Sequence, residues 1–253
     1  MTENPFAFAA TAADEDTMYL HQARKEEDWK EFHKAMIKEL QDHTNGGHWK
    51  VIRKDEVPAG QKIMRGVWSM KRKRRVGTGE VYRWKARLCI DGSSQQKGVN
   101  YWDTYSPVVS WETVRSILTL AILNNWITQQ IDFVLAFPQA PVERELYMEI
   151  PKGFDIDEGR TDDYILKPNR NIYGQKQAGR VWNQYLASKL MKEVGFEQSQ
   201  VDECLFYKGN VIYALYTDDS IIAGPSEKEV AEVVESINEQ GRKRQHHTTP
   251  SQK

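Results

Sequence analysis

The adjacent acids Asp218 and Asp219 are the residues of this sequence best suited to chemistry. Apolar, β-branched runs flank them at 211–216 and 220–224, which predicts a β-hairpin with the acids at its turn. Two neighbouring carboxylates repel unless water solvates them or a cation lies between them. Such oxygen ligands suit Mg²⁺, which is commonly held by one or two carboxylates and by substrate phosphates. Taken alone, the pair is more typical of a solvated turn, because Asp is a common turn residue.

A third acid, Asp132, stands in the apolar run 131–137, after residues that alternate as in a strand. A lone acid is costly to bury unless it has a partner or a metal. The alternative is an acid at a strand end that points to water. One acid after a strand and two more on a later hairpin are the arrangement of a polymerase palm. There, carboxylates of neighbouring strands hold two cations roughly 3.5–4 Å apart for phosphoryl transfer.

Residues 65–87 concentrate positive charge, because Lys and Arg recur there against the single acid Glu80. Segments 67–73 and 82–90 are predicted to form two antiparallel strands, with aromatic residues among the cations. Cations beside aromatic rings suit a nucleic-acid strand. The alternatives are a solvated basic hairpin, a nuclear-import signal, or aromatics that form a packed face. The cations expected to contact nucleic acid are Lys71, Arg72, Lys73, Arg74 and Arg75.

Length and composition are those of an ordinary globular protein of one large domain or two small ones. The chain has 253 residues, of which 40% are hydrophobic and 28% charged. The formal net charge of -1 does not by itself indicate a nucleic-acid binder. Cys89 and Cys204 lie too far apart in sequence for a zinc motif, which favours a reducing compartment. No apolar run has the length of a membrane span, so we expect an intracellular protein, cytoplasmic or nuclear.

Helical periodicity predicts the elements that position these residues. An amphipathic helix is expected over 24–41, and another begins after Ser110. A third runs from about residue 178 to Gly195, and a fourth begins at Ser226 with a capping box to Glu229. The wide apolar face of the second helix predicts that it belongs to the core. That face consists of Val114, Ile117, Leu118, Ala121 and Ile122.

Six short motifs occur together, in one order, along the chain. They are 84–88 (WKARL), 105–109 (YSPVV), 130–137 (QIDFVLAF), 145–148 (ELYM), 172–182 (IYGQKQAGRVW) and 216–219 (YTDD). In order and spacing they resemble the reverse transcriptase of copia-type retrotransposon polyproteins. The resemblance covers roughly residues 48–238, and it makes a merely solvated turn at Asp218 and Asp219 a minor alternative.

The resemblance implies an α+β, right-hand polymerase fold with fingers, an antiparallel palm sheet packed on helices, and no complete thumb. It also implies two Mg²⁺ or Mn²⁺ ions, an RNA template, a DNA primer and deoxynucleoside triphosphates. Asp132, Asp218 and Asp219 match the catalytic, metal-binding acids. The residues that match nucleotide-binding positions are Lys85, Arg87, Phe133, Phe137 and Gln177. Phe137 matches the aromatic that excludes a 2′-hydroxyl, although a core phenylalanine is an even alternative, and Phe133 acts through its backbone carbonyl.

The sequence also departs from the family. Thr217 stands where the family usually has Val, and the resemblance fades near Glu239, before the thumb and RNase H regions. We therefore expect a connector at 1–47, fingers and palm at 48–240, and a disordered basic tail at 241–253. An RNA-directed DNA polymerase domain is the first hypothesis. A catalytically silent fragment that at most binds nucleic acid is the second, and a two-metal nuclease would leave the nucleotide-gripping residues unexplained.

Overall fold

The computed structural model describes residues 14–154, 161–241 and 247–249. The chain divides into two compact units, and each unit contains two separate stretches of sequence. The first unit comprises Met1–Trp102 and Pro141–Lys176, and the second comprises Asp103–Ala140 and Gln177–Lys253. Residues of the expected 1–47 connector therefore share a unit with the cation-rich segment 65–87, and the boundary at residue 48 stays a prediction.

The fold is mixed, with short helices and predominantly antiparallel sheets. The helices are α1 (Leu20–Ala23), α2 (Trp29–Asn45), α3 (Trp111–Leu123), α4 (Ala136–Gln139), α5 (Ala178–Lys189) and α6 (Glu227–Gly241). The strands of the first half are β1 (Thr17–Tyr19), β2 (Trp49–Arg53), β3 (Ile63–Met64), β4 (Gly66–Arg74), β5 (Val81–Ile90) and β6 (Ile127–Asp132). Those of the second half are β7 (Tyr147–Glu149), β8 (Tyr164–Pro168), β9 (Glu197–Gln198), β10 (Leu205–Lys208), β11 (Val211–Tyr216), β12 (Asp219–Gly224) and β13 (His247–Thr249).

The first unit is built around the basic ribbon of β4 and β5. Strand β1 adds to its edge in the order β1-β4-β5, and every pairing is antiparallel. Helix α2 covers one face of this sheet, where Phe32 and Met36 join a core that includes Trp68 and Leu88. A second sheet in this unit has the order β2-β8-β7-β3, with one parallel pair between β3 and β7. The ribbon therefore has one buried face and one face directed away from its core.

The second unit carries a six-stranded antiparallel sheet in the order β13-β6-β12-β11-β10-β9. Helices α5 and α6 supply Trp182, Leu186, Val230 and Ile237 to its core. After α5 the chain forms a π-helical turn at Leu190–Val194. This turn ends at Gly195, which has the left-handed conformation expected of a glycine at the C-terminal end of a helix. The expected antiparallel sheet packed on helices is present in this unit.

Helix α3 is confirmed, but its expected burial is wrong. The Ser110 hydroxyl accepts a hydrogen bond from Thr113 N at 3.0 Å and caps the helix as predicted. Ile117 and Ala121 are buried, whereas Leu118 is 41% exposed and Ile122 is 77% exposed. Apolar residues cover more than one side of this helix. Periodicity identified a wide apolar face without showing which part of it a sheet covers.

Other predicted elements are present with shifted boundaries. The first amphipathic helix begins at Trp29, five residues later than expected, and ends at Asn45. Of the expected tail at 241–253, Gly241 closes α6 and His247–Thr249 pair with β6, while residues 242–246 and 250–253 lie outside the described chain. Every helix within the described ranges is too short or too polar to cross a lipid bilayer.

Candidate active site

Strands β11 and β12 form a hairpin that carries Asp218 and Asp219, called here the acid hairpin. Together with β6, which ends at Asp132, it brings the three predicted catalytic residues to one end of the six-stranded sheet. Strands β11 and β12 are joined by the two residues Thr217 and Asp218, so Asp219 is the first residue of β12. Asp219 is the register partner of Asp132, the last residue of β6. Directly opposed residues of an antiparallel pair have Cα atoms about 4.5–5.5 Å apart. Asp218 is also adjacent, because its carbonyl accepts a hydrogen bond from Phe133 N at 3.0 Å.

A buried tryptophan, Trp182, contacts the turn between β11 and β12 from the core side of the sheet. Trp182 Nε1 donates a hydrogen bond to the Thr217 carbonyl at 2.6 Å, and the Trp182 ring packs edge-on against Phe133 at 5.3 Å. Thr217 has a φ of 55°, in the left-handed region that β-branched residues rarely adopt. The surroundings therefore fix an unfavourable backbone conformation directly beside the acids, and such strain is concentrated at functional sites.

The sheet face that carries Asp132 and Asp219 is exposed at the end where these acids lie, whereas the opposite face is core. Alternation along β6 places Gln130 on the same face as Asp132, and Ile131 is buried on the other. An apolar cavity of about 430 Å³ lies between this face and helix α3, and Trp111 and Asp219 are among its lining residues. The acids therefore border a space that another molecule could enter.

The donor set suits a hard divalent cation. Opposed like charges destabilise an antiparallel pair, and carboxylate oxygens are the ligands that Mg²⁺ and Mn²⁺ prefer. Within the described residues, however, no group of three His, Cys, Asp or Glu side chains is gathered closely enough to hold a metal. One Asp219 oxygen instead accepts a hydrogen bond from Gln130 Nε2 at 3.2 Å. Metal binding would therefore require the carboxylates to turn toward each other from backbone positions that are already adjacent.

Three predicted nucleotide-binding residues lie in the same unit as the acids. The side chain of Phe133 is buried in the core against Trp182. Phe137 lies in α4 and is partly buried against that core. Gln177 immediately precedes α5, and its side chain is 1% exposed. Phe133 and Gln177 therefore contribute to the packing of the unit as well as matching nucleotide-binding positions.

The five cations predicted to bind nucleic acid do not form one surface. The register of β4 with β5 places Arg72 opposite Trp84 on the face that α2 covers. Arg72 there donates to Asp28 at 2.7 Å and Glu26 at 2.9 Å, and it holds the pKa of Asp28 at about 2. Arg72 is thus a structural cation, and the local charge excess seen in the sequence is partly neutralised.

Other ribbon cations also have acidic partners. Arg74 forms a 2.8 Å ion pair with Asp16, and Arg75 lies 4.0 Å from Glu80. These partners come from the segment before α2 and from the ribbon turn. Sequence reasoning treated Asp16 as part of a connector and so did not identify this pairing.

The outer face of the ribbon carries its remaining cations. Lys71 faces Lys85, Lys73 faces Arg83, and Arg87 lies farther along β5 on the same face. Lys71 alone of these has a described ion pair, to Asp14 at 2.6 Å. Burial, followed by the charges of Arg87 and Lys73, lowers the pKa of Lys85. Arg83 was not predicted to bind, although strand alternation from Lys85 was enough to place it on this face.

Comparison with known proteins identifies the family of this chain. Residues 48–245 match the reverse transcriptase (RNA-dependent DNA polymerase) family, and the chain belongs to that family. More particularly, its relatives are Pol polyproteins of copia-type transposons, which confirms the resemblance inferred from the six motifs.

Relatives occur in plants and yeast. The chain is 32% identical over 205 residues to the retrovirus-related Pol polyprotein from transposon TNT 1-94 of Nicotiana tabacum, a match covering 79% of this chain and 15% of the relative. Identity to the Pol polyprotein from transposon RE2 of Arabidopsis thaliana is 34% over 217 residues, covering 84% of this chain and 14% of the relative. The transposon Ty1-ER2 Gag-Pol polyprotein of Saccharomyces cerevisiae is 30% identical over 143 residues, with 54% and 8% covered. The chain therefore spans only a small part of the length of these polyproteins.

Proposed function

We propose that this chain is an RNA-directed DNA polymerase domain in which Asp132, Asp218 and Asp219 bind two Mg²⁺ or Mn²⁺ ions. The observation that carries the proposal is the register of β6 with β12, which sets Asp132 opposite Asp219 beside the Asp218 turn. Two-metal transfer requires carboxylates from neighbouring strands at one point. When bound, the ions would lower the pKa of the primer 3′-hydroxyl and neutralise the leaving pyrophosphate.

The same proposal assigns the two units to the parts of a right-hand polymerase. The unit with the acid hairpin corresponds to the palm, and the unit with the basic ribbon corresponds to the fingers. The substrates are an RNA template, a DNA primer and deoxynucleoside triphosphates. An antiparallel palm sheet backed by two helices and a β-ribbon rich in cations support this assignment.

The nucleotide-binding residues have separate roles in this scheme. Lys85 and Arg87 bind the triphosphate, because their cations share a ribbon face on which no described acid pairs with either of them. The Phe133 carbonyl contributes an oxygen beside the acids, and Phe137 disfavours a 2′-hydroxyl by contact with the sugar. Gln177 lies next to the sugar.

Contacts to the template or primer are assigned to the outer face of the ribbon. Lys73 and Arg83 lie there beside Lys71, and of these three only Lys71 has a described acidic partner, whereas Arg72 and Arg74 are both engaged by acids. Cations at alternate positions of a strand recur at about 6.8 Å. This spacing allows successive side chains to reach successive phosphates of an extended strand, and neutralising phosphates is the main source of sequence-independent affinity.

A second candidate function is nucleic-acid binding without catalysis. It is favoured by one observation, namely that the described carboxylates are not gathered into a three-ligand group. Under this alternative the ribbon binds nucleic acid through Lys73 and Arg83 while the acid hairpin is silent. The two candidates predict the same binding and differ only in nucleotide transfer.

Primer extension separates the candidates. Purified chain is incubated with oligo(dT) annealed to poly(rA), dTTP and Mg²⁺, and extension is followed on a gel. We expect extension by the wild type and by the control Asp162→Asn, in which an acid of another unit is neutralised, but none by Asp218→Asn. Absence of extension by the wild type, together with salt-sensitive binding to the template, would establish the silent binder instead.

A further inference from the structure

Arg87 is oriented by an aromatic ring. Its guanidinium carbon lies 4.0 Å from the centre of the Tyr173 ring, and the side chain is half-buried. Among the described side chains, no carboxylate is within ion-pair distance of it. A guanidinium that stacks on a ring uses its flat face for the contact, and its N–H donors at the edge stay available for a planar or tetrahedral anion.

Tyr173 is itself fixed to the strand that carries Arg87. Ile90 N donates a hydrogen bond to the Tyr173 carbonyl at 2.7 Å, and Cys89 forms a parallel bridge with Tyr173. The next residue, Gly174, has a φ of 89°, and a Cβ there would lie 2.2 Å from the Ile90 carbonyl oxygen. Only glycine permits this approach. The ring and the guanidinium are therefore held in a fixed relation by the end of β5.

A second cation lies on the same face. Lys85 is two residues before Arg87 on β5, so both side chains point to one side of the ribbon. Its register partner Lys71 is ion-paired with Asp14 at 2.6 Å, whereas neither Lys85 nor Arg87 has a described carboxylate within ion-pair distance. Two neighbouring cations without acidic partners repel each other unless an anion lies close to both. Lys85 and Arg87 together therefore favour a multiply charged anion such as a polyphosphate.

We infer that Tyr173 is a positioning residue, which holds the Arg87 guanidinium edge toward a phosphate group of an incoming nucleoside triphosphate. The inference rests on the proposed function, since that function assigns the triphosphate to Arg87. Tyr173 lies far from β5 in sequence. It would act on the phosphate only indirectly, by orienting Arg87. The tyrosine hydroxyl has no part in the stacking, so an aromatic ring without it can replace Tyr173.

Two measurements test the inference. The affinity for tripolyphosphate and for dTTP is measured by calorimetry, and the KM and kcat for dTTP are measured by primer extension. For Tyr173→Leu we expect affinity to fall about tenfold and KM to rise about tenfold, with kcat within about twofold. The stacking on Arg87 supports triphosphate binding equally in the ground state and in the transition state, so its loss affects binding and not the chemical step. Tyr173→Phe is expected to stay within about twofold of the wild type.

The control is Tyr82→Leu, which removes the ribbon tyrosine that Arg75 approaches at 5.8 Å. It is expected to leave triphosphate affinity unchanged. Cooperative unfolding is checked for each variant, and Tyr173→Met replaces Tyr173→Leu if the latter is unfolded. Unchanged affinity in the nonaromatic variant, or an equal loss in Tyr173→Phe, would overturn the inference.

The outcomes also separate this inference from the polymerase proposal. If the wild type binds tripolyphosphate but does not extend a primer, the polymerase proposal fails, and the binding data alone decide the role of Tyr173. If the wild type binds neither tripolyphosphate nor dTTP, the role of Tyr173 is rejected.

Discussion

The acid hairpin and the basic ribbon both concentrate charge on an antiparallel pair, yet the fold treats them differently. At the hairpin, Asp132 and Asp219 are opposed across β6 and β12, and no ion pair to Asp132 occurs among the described side chains. On the ribbon, Arg72 and Arg74 are bound by acids of their own unit, while Lys73 and Arg83 on the other face are not. Charge that the fold needs is neutralised internally, and the charge left over is available to ligands.

The charges without acidic partners in the fold are therefore the ones to test for function. Removal of a paired cation such as Arg72, 12% exposed and bound to Asp28, would leave a partly buried carboxylate without its partner and so destabilise the fold. An opposed pair of like charges costs stability, so its presence is better explained by a ligand. Substitution of a paired charge should therefore lower stability, whereas substitution of one of two opposed like charges should impair ligand binding or activity without lowering stability.

The largest effect is expected at the hairpin. Asp132→Asn should reduce primer extension by about 10³-fold or more, because a metal ligand supplies several kcal/mol of transition-state stabilisation. The same change should leave the free energy of unfolding unchanged or raise it by up to about 1 kcal/mol, since it removes a repulsion with Asp219. Gel-based extension and urea unfolding measure the two quantities. A variant that lost stability and activity together would place Asp132 in the structural class.

The next effect is expected on the covered face of the ribbon. Arg72→Gln should destabilise the chain by about 2 kcal/mol, because it leaves Asp28 without its charged hydrogen-bond partner. Affinity for single-stranded RNA should change little. Urea unfolding and fluorescence anisotropy are the measurements, with Lys73→Gln as the matched control. A large loss of RNA affinity at unchanged stability would contradict the division of the ribbon into two faces.

A smaller effect is expected on the outer face. Lys73→Gln and Arg83→Gln should each weaken RNA binding and reduce the slope of log affinity against log salt by about 0.7, the value for one phosphate contact on a single strand. Stability should be unchanged or slightly higher, because the two cations are register partners. Anisotropy titrations between 50 and 200 mM salt would show the slopes, and slopes equal to the wild type would remove these residues from the interface.

The sequence was sufficient for the hairpin because its information is local. Adjacent acids between two β-branched runs specify strand, turn and strand, and the resemblance supplied the distant partner Asp132. Similarly, Ser110 identified a helix start, since a cap depends on residues a few positions away.

Long-range features could not be predicted in the same way. The pairing of Asp16 with Arg74 and of Asp28 with Arg72 depends on which segment the ribbon edge and α2 bring close. The exposure of Ile122 depends on which part of α3 meets the sheet. The contact between Tyr173 and Arg87 joins residues far apart in sequence through a bridge at the end of β5. None of these contacts has a periodic or short-range signature.

The smallest effect is expected in the dependence of thermal stability on pH. Arg72, followed by the Trp84 N–H, keeps the pKa of Asp28 at about 2, below its ordinary value of 3.8. A carboxyl whose pKa is depressed in the folded state contributes stability above the unfolded pKa and loses it as pH falls through the folded pKa. The wild type should therefore lose thermal stability between about pH 4 and pH 2, and Asp28→Asn, already less stable at pH 7, should lose less over that interval. The difference should be modest, because solvent screens this partly exposed pair. Tm measured at intervals of half a pH unit, with Asp162→Asn as control, tests the expectation. If Tm fell equally with pH in Asp28→Asn and in the wild type, carboxyl groups other than Asp28 would control acid unfolding.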